Sequence, residues 1–277
     1  MHALMLPAGL KKNSKTYAIS RFQVPFPSFP SSFLCSACTV FAQEPLFDKP
    51  DDEDPGGNYN LLVQAMNRAG IEVVGSAPYV EPTIKQAKKN IALILELAGR
   101  NRYHADFHLD YNLNPQSEPL IYEVIDITRR LSRYWRQEGL PERRITIGHA
   151  TRLLLFTDAQ WQDLLRSLRD LPISFVGLPN SDLYMQGREY ARQRLGVPRG
   201  TLNAPQLAAK YGLQVAMSVN NVENAFTPQG SPDPFALCGL GAAMFQSATQ
   251  KDIRTLIVPF YVLFISYPDT FFSVLSL

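Results

Sequence analysis

The chain has 277 residues, of which 45% are hydrophobic, so it is long enough to bury one substantial core. Its 27 basic and 25 acidic residues leave a net charge of +2, and no basic run is interleaved with aromatic residues. This balance gives no reason to expect a nucleic-acid partner. The four histidines are few for a metalloenzyme, but they suffice for two metal ligands.

The first 43 residues contain four basic side chains and no acidic one. The proline-rich run Pro25–Phe33 cannot hold a regular helix or a central strand. We therefore expect residues 1–36 to be a disordered leader on a cytoplasmic protein. A mitochondrial presequence is the alternative, because the segment is basic, contains serine and lacks acidic residues.

The middle of the chain alternates short β-branched or aromatic runs with amphipathic runs, which is typical of parallel βα repeats. The predicted strands are Ala37–Ala42, Val73–Ser76, Ala105–Leu109, Ile145–His149, Ile173–Gly177 and Leu213–Ser218. The predicted helices between and after them are Tyr59–Ala69, Thr83–Leu97, Glu118–Gln137, Ala159–Leu168 and Ala204–Tyr211. The alternation predicts an α/β fold.

Two of these strands have a histidine as their last or next-to-last residue and pass into a polar loop. His108 is next to last in the strand of H-A-D-F-H-L-D, and His149 closes the next strand in R-I-T-I-G-H-A-T-R. In α/β barrels such strand ends build metal and catalytic sites, because the strand fixes the direction of the side chain and the loop gives access to it. We expect the two histidines to share one pocket.

Six βα units are two fewer than a closed (β/α)₈ barrel contains. The sheet is therefore either an open doubly wound one or a barrel that lacks two units. A doubly wound dinucleotide fold would need a glycine-rich phosphate loop, and Asp54–Asn58 lacks that spacing. An incomplete barrel would leave two strand edges exposed, and we expect the leader or the tail to cover one of them.

The C-terminal segment 253–277 differs in character from the preceding domain, 37–252. From Thr255 onward it is apolar without a clear helical or strand period, and Pro259, Pro268 and Asp269 interrupt it. A membrane span needs about 20 predominantly apolar residues. We therefore expect an atypical tail and no membrane anchor.

Six segments, in order, resemble the cytosine deaminase branch of the amidohydrolase superfamily. They are Val40–Glu44, Gly70–Glu81, Ala105–Asp110, Ile145–Thr151, Phe175–Arg188 and Val219–Gly230, within a region from about Thr39 to about Thr249. The resemblance implies an incomplete TIM-like barrel whose six strands correspond to the third through eighth of the family. It also implies a metal-dependent hydrolase of non-peptide C–N bonds in cyclic amides or amidines.

The resemblance assigns roles to individual residues. His108 and His149 match metal-ligand histidines, with Zn²⁺ or Fe²⁺ as the expected metal. Gln43 matches a glutamine that binds the edge of a small heterocyclic substrate, because its amide donates and accepts at once. In the family, the metal activates a water molecule and a carboxylate moves the proton to the leaving nitrogen.

The chain departs from the family at three catalytic positions. No H-x-H pair of metal ligands occurs in it. Tyr111 stands at the position of the proton-shuttling glutamate, and Asn220, followed by Asn221, stands at that of the eighth-strand aspartate. Asp110 is a nearby carboxylate that could substitute in catalysis, and Asn221 a second group that could face the substrate.

These departures leave two interpretations open. The first is a cytosine deaminase-like hydrolase, and the second is a catalytically inactive barrel that binds a small heterocycle or a partner. Since the proton shuttle and half of the metal ligands are missing, we expect the metal to be weakly bound or lost, and cytosine deaminase activity to be undetectable. The composition is compatible with a homo-oligomer.

Overall fold

The computed structural model describes residues 18–21, 38–188, 196–220 and 235–262. The described strands are β1 (Ala18–Arg21), β2 (Cys38–Ala42), β3 (Ile71–Ser76), β4 (His104–Leu109), β5 (Ile145–His149), β6 (Ile173–Gly177) and β7 (Val215–Met217). The described helices are α1 (Gly57–Met66), α2 (Ile84–Asn101), α3 (Ile121–Gln137), α4 (Asp158–Leu168), α5 (Pro179–Met185), α6 (Ala204–Tyr211), α7 (Phe235–Met244) and α8 (Gln250–Val262). Within these described ranges, 3₁₀ turns lie at Pro78–Val80 and Thr151–Leu155.

The strands form one sheet in the sequential order β1 to β7. Strands β2 to β7 are parallel throughout, and each hydrogen-bonds to the next one along the chain. A doubly wound sheet reverses its strand order at a switch point, whereas a (β/α) barrel keeps it sequential. The described residues therefore have the predicted α/β architecture of an incomplete TIM-like barrel, and the doubly wound alternative is wrong.

Strand alternation separates the two faces of the sheet. On the helix side, apolar residues such as Val74, Phe107, Ile147 and Phe175 are almost fully buried in the main core. On the opposite, inner face the side chains include Phe41, Asp106, Thr146 and Ser174, with Gly75 between the first two. The helices thus cover one face, and the candidate functional residues lie at the carboxyl end of the other.

Both outer regions of the sheet involve segments that the sequence predicted to be irregular. Strand β1, within the predicted leader, pairs antiparallel with β2, so the leader covers that edge as expected.

The expectation of a tail without helical order is wrong as far as Val262, because α8 spans Gln250–Val262 and packs on β7 and α6. Its helical pattern begins before Thr255, with Leu256 as a buried contact. No described helix is long and apolar enough to cross a membrane.

A buried polar network fixes the loop between β3 and α2, which carries Tyr79 towards the candidate site. The Ser76 hydroxyl donates to Asn90 Oδ1 at 2.6 Å, and Asn90 Nδ2 donates to Glu81 Oε1 at 2.6 Å. The Glu81 carboxylate also accepts the backbone N–H of Leu46 and of Phe47. Ser76 and Asn90 are almost fully buried, so each depends on the other for its hydrogen bonds.

Replacing Asn90 by Leu is expected to lower the free energy of unfolding by about 2–3 kcal/mol, because buried Ser76 and Glu81 each lose a partner. Asn101→Leu is the matched control, since Asn101 is exposed at the end of α2, and should cost less than about 1 kcal/mol. Urea unfolding measures both. Equal effects of the two variants would show that the network does not hold this loop.

Candidate active site

The carboxyl ends of β4 and β5 lie side by side, with Leu109 in register with His149. At these strand ends the backbone adopts left-handed φ angles, at Asp110 (52°), His149 (64°) and Ala150 (49°). Such angles cost side-chain-bearing residues free energy, on the order of 1–3 kcal/mol each, and cluster at functional sites. By strict alternation His149 would face the helices with Ile147, so this backbone redirects its imidazole to the end of the sheet.

His108 and His149 come together there, as the sequence predicted. Their ring centroids are 4.7 Å apart, and the rings are nearly perpendicular at 88°. His108 lies over Gly148, where an added Cβ would sit 2.7 Å from its Cδ2 atom. Burial, with a smaller contribution from His149, holds the pKa of His108 well below its usual value. Both imidazoles are therefore uncharged at neutral pH.

Asp182, in the first turn of α5, is the residue that sequence reasoning missed. Its Oδ1 atom lies 2.7 Å from His149 Nδ1, and the two side chains are 0% and 1% exposed. The Leu178 backbone N–H donates to Asp182 Oδ2 at 3.3 Å. Burial lowers the pKa of His149 to about 3 and raises that of Asp182 well above its usual value. Burial thus opposes a net charge on the pair and favours a form with one proton between Nδ1 and Oδ1.

Tyr111 covers one face of His149. The two rings are stacked, with centroids 3.8 Å apart and an interplanar angle of 20°. The Tyr111 hydroxyl donates to the Ser181 backbone carbonyl at 3.1 Å, and Asn220 Nδ2 donates to the Ser181 hydroxyl at 3.2 Å. Burial raises the pKa of Tyr111, so the phenol keeps its proton at neutral pH. Tyr111 and Asn220 thus join the site through one residue of α5.

Gln43 reaches the site through Tyr79. Its side chain lies near Tyr79 and partly opposes the rise that burial causes in the pKa of that phenol. The Tyr79 ring meets Tyr111 edge-on at 5.4 Å and His149 edge-on at 6.3 Å. Gln43 follows β2 and is half-buried. A cleft of about 440 Å³ lies beside Tyr79, with Pro78, Ile84 and Leu120 among its lining residues.

Asp110 has a different environment from the histidines. Its Oδ1 and Oδ2 atoms accept the backbone N–H groups of Leu120 and Ile121, at 2.7 and 3.1 Å, at the start of α3. Burial raises its pKa to about 6, although these hydrogen bonds oppose the shift. In this geometry Asp110 satisfies free N–H groups at a helix terminus, and its catalytic role stays a prediction. Asn221 lies outside the described residues.

The described residues do not complete a site for Zn²⁺ or Fe²⁺. A catalytic metal site ordinarily has three protein ligands. His149, held at Nδ1 by a carboxylate, has the arrangement of a metal-bound histidine, and His108 could be a second ligand. The third neighbour is a protonated phenol, Tyr111, and no cluster of three histidine, cysteine, aspartate or glutamate side chains lies within the described ranges. These residues alone therefore do not fit the metal.

The substitution Gly148→Ala is expected to displace His108, because the new Cβ would lie 2.7 Å from its ring, and to cost about 1–3 kcal/mol. Gly99→Ala is the matched control. At Gly99, in α2, the nearest atom is 3.8 Å away, so alanine should stabilise the helix slightly. Urea unfolding and the imidazole NMR signals of His108 measure the effects. An unchanged His108 signal in Gly148→Ala would contradict the packing.

The low pKa of His149 predicts a specific dependence of stability on pH. The unfolded chain protonates this imidazole near pH 6.5 and the folded chain only near pH 3, so its contribution is present above pH 6.5 and lost as pH falls. His149→Gln should reduce the rise of unfolding free energy with pH, between pH 3 and 6.5, by up to about 1.4 kcal/mol per unit. Identical slopes for variant and parent would show that His149 titrates normally.

Comparison with solved structures identifies similar folds. The chain matches 5-methylcytosine deaminase from Klebsiella pneumoniae, liganded with 5-fluorocytosine, with a TM-score of 0.62 and 20% identity over 77% of this chain and 47% of that one. It matches N-isopropylammelide isopropylaminohydrolase from Burkholderia multivorans with a TM-score of 0.53 and 18% identity, over 78% and 47%.

The chain thus spans about half the length of these two structures. Neither a protein-family profile nor a curated protein matches it. At 18–20% identity, the similarity to these two structures is a similarity of fold. The described part of this chain therefore shares the fold of these two enzymes over about half of their length.

Proposed function

We propose that the protein is a deaminase-like hydrolase that cleaves a C–N bond in a small cyclic amide or amidine. The observation that carries the proposal is the buried His149–Asp182 pair beside His108 at the carboxyl ends of parallel strands. In barrel enzymes this end of the sheet carries the chemistry. The similar structures, a 5-methylcytosine deaminase and an isopropylaminohydrolase, support the reaction class.

The His149–Asp182 pair is suited to giving a proton to a leaving amine. The Nδ1 atom of His149 is hydrogen-bonded to Asp182, and its Nε2 atom has no hydrogen-bond partner among the described residues. In the net-neutral pair Nε2 carries a hydrogen, and Asp182 can return a proton to Nδ1 when that hydrogen is given up. Water adds across the C=N bond of the ring, its oxygen to the carbon and one hydrogen to the ring nitrogen. The C–N bond to the amine then breaks as the amine takes the proton from His149, and the remaining proton of the new hydroxyl restores the pair as the C=O bond forms.

Gln43, Tyr79 and Tyr111 would hold the substrate. The Gln43 amide donates and accepts hydrogen bonds, which matches the edge of a cyclic amide. The Tyr79 ring, 37% exposed, offers an aromatic wall for a planar ring. Because His108 and His149 are uncharged at neutral pH, the site favours a neutral heterocycle over an anion.

A second candidate is a protein that binds such a heterocycle without turning it over. The stacked Tyr111 favours it, because this protonated phenol occupies one face of His149 and is a poor base at neutral pH. The two described imidazoles also fall short of a three-ligand metal centre. Binding and turnover must therefore be measured separately.

The test is an ammonia-release assay on cytosine and a panel of related cyclic amides and amidines, with and without added Zn²⁺ or Fe²⁺. Turnover of at least one panel member is expected, with cytosine itself below detection. His149→Ala and Asp182→Asn should each lower that rate about 10²–10⁴-fold, the usual contribution of a proton-transferring group. Asp163→Asn, an exposed residue paired with Arg166, is the matched control and should leave the rate unchanged.

Binding of the same panel, measured by calorimetry, separates the two candidates. Binding that weakens in Gln43→Ala, without ammonia release from any compound, would favour the binding protein and contradict the hydrolase. Ammonia release that persists in both His149→Ala and Asp182→Asn would show that this pair does not supply the proton.

A further inference from the structure

One inner-face residue has no role in the proposed reaction and no partner in the part of the chain that the structure describes. Asp106 lies in the middle of β4 and is only 8% exposed. Among the described residues no group donates a hydrogen bond to its carboxylate and no basic side chain forms an ion pair with it. Burial of an unpaired carboxylate costs several kcal/mol, so such a group usually has a proton or a counter-charge.

The neighbours of Asp106 on the inner face are hydroxyl-bearing. The sheet register places Asp106 beside Thr146 of β5, and Thr146 beside Ser174 of β6. Successive side chains of a strand point to opposite faces of the sheet. Since Ile145, Ile147 and Phe175 point into the helix-side core, all three polar side chains lie on the face away from the helices. Adjacent strands are about 4.8 Å apart, so the carboxylate and the first hydroxyl can share one small ligand.

The inner-face row is buried at Phe41 and Asp106 and reaches solvent at Thr146 and Ser174. Thr146 and Ser174 are partly exposed, and the described residues give neither hydroxyl a hydrogen-bond partner. Phe41 of β2 is in register with Gly75 of β3, and its ring lies over that glycine. A Cβ added at Gly75 would lie 2.5 Å from the Phe41 ring. The row therefore has an apolar ring on one side of Asp106 and two hydroxyl groups on the other, where solvent reaches it.

We propose that Asp106 and Thr146 form a binding site for a small monovalent cation, with Ser174 reached through a water molecule. Charge balance favours a monovalent ion, because a single carboxylate neutralises one positive charge, whereas Ca²⁺ sites assemble several oxygen ligands, often more than one carboxylate. Na⁺, K⁺ and NH₄⁺ share this chemistry. The site does not depend on the proposed hydrolysis.

The test is thermal unfolding of the full chain in choline chloride, with NaCl, KCl or NH₄Cl substituted at constant ionic strength. At least one of these cations should raise the Tm with saturation. At a concentration ten times its Kd, the cation raises the folded-to-unfolded ratio about elevenfold. For a domain of this size that ratio corresponds to a rise in Tm of roughly 3–6 °C. Choline, too large for the row, should have no effect.

Asp106→Asn should abolish this cation dependence and raise the Tm in choline alone, because the unpaired charge is gone. Thr146→Val, which removes only a hydroxyl, should weaken the dependence, and it tests the site independently if the asparagine variant does not fold. Asp163→Asn is the control and should retain the full dependence. A parent Tm that does not respond to any of the three cations would overturn the proposal. So would an unchanged response in both site variants, or saturation by Mg²⁺ or Ca²⁺ instead.

Discussion

The hydrogen bond between His149 and Asp182 is the contact on which the rest of the site depends. Both side chains are almost completely buried, so neither could carry an isolated charge without a large cost. Burial therefore favours a net-neutral pair, in which His149 Nε2 retains one hydrogen. This bond also fixes the plane of the imidazole, against which Tyr111 stacks and His108 packs edge-on. A change in the pair would therefore disturb every other contact of the site.

The barrel supplies what that contact requires. Parallel strands in sequential order bring the ends of β4 and β5 into register, and α5 begins directly after β6, which brings Asp182 to the same end. Gly148 provides the space that the His108 ring occupies. The left-handed residues at the ends of β4 and β5 store strain, which the helix-side core must offset. The site is thus assembled from the ends of β4 and β5 and from α5, and the segments after β2, β3 and β4 contribute Gln43, Tyr79 and Tyr111.

The sequence predicted the strands well because their apolar runs are short, regular and bounded by polar loops; Ile145–His149 and Ile173–Gly177 have the expected bounds. It predicted that His108 and His149 meet, since both end neighbouring strands. Asp182 was missed because it is 33 residues beyond His149, in a segment that reads as an ordinary helix start. The environment of Asp110 could not be predicted either, because its partners are backbone N–H groups at the start of α3.

NMR of the imidazole nitrogens of His149 at neutral pH tests the central claim most directly. The account predicts a protonated Nε2 and a strongly deshielded proton in the Nδ1–Oδ1 hydrogen bond, with that proton signal lost in Asp182→Asn. An unprotonated Nε2 at neutral pH, or a His149 spectrum that Asp182→Asn leaves unchanged, would contradict the net-neutral pair and the proton-donating role built on it.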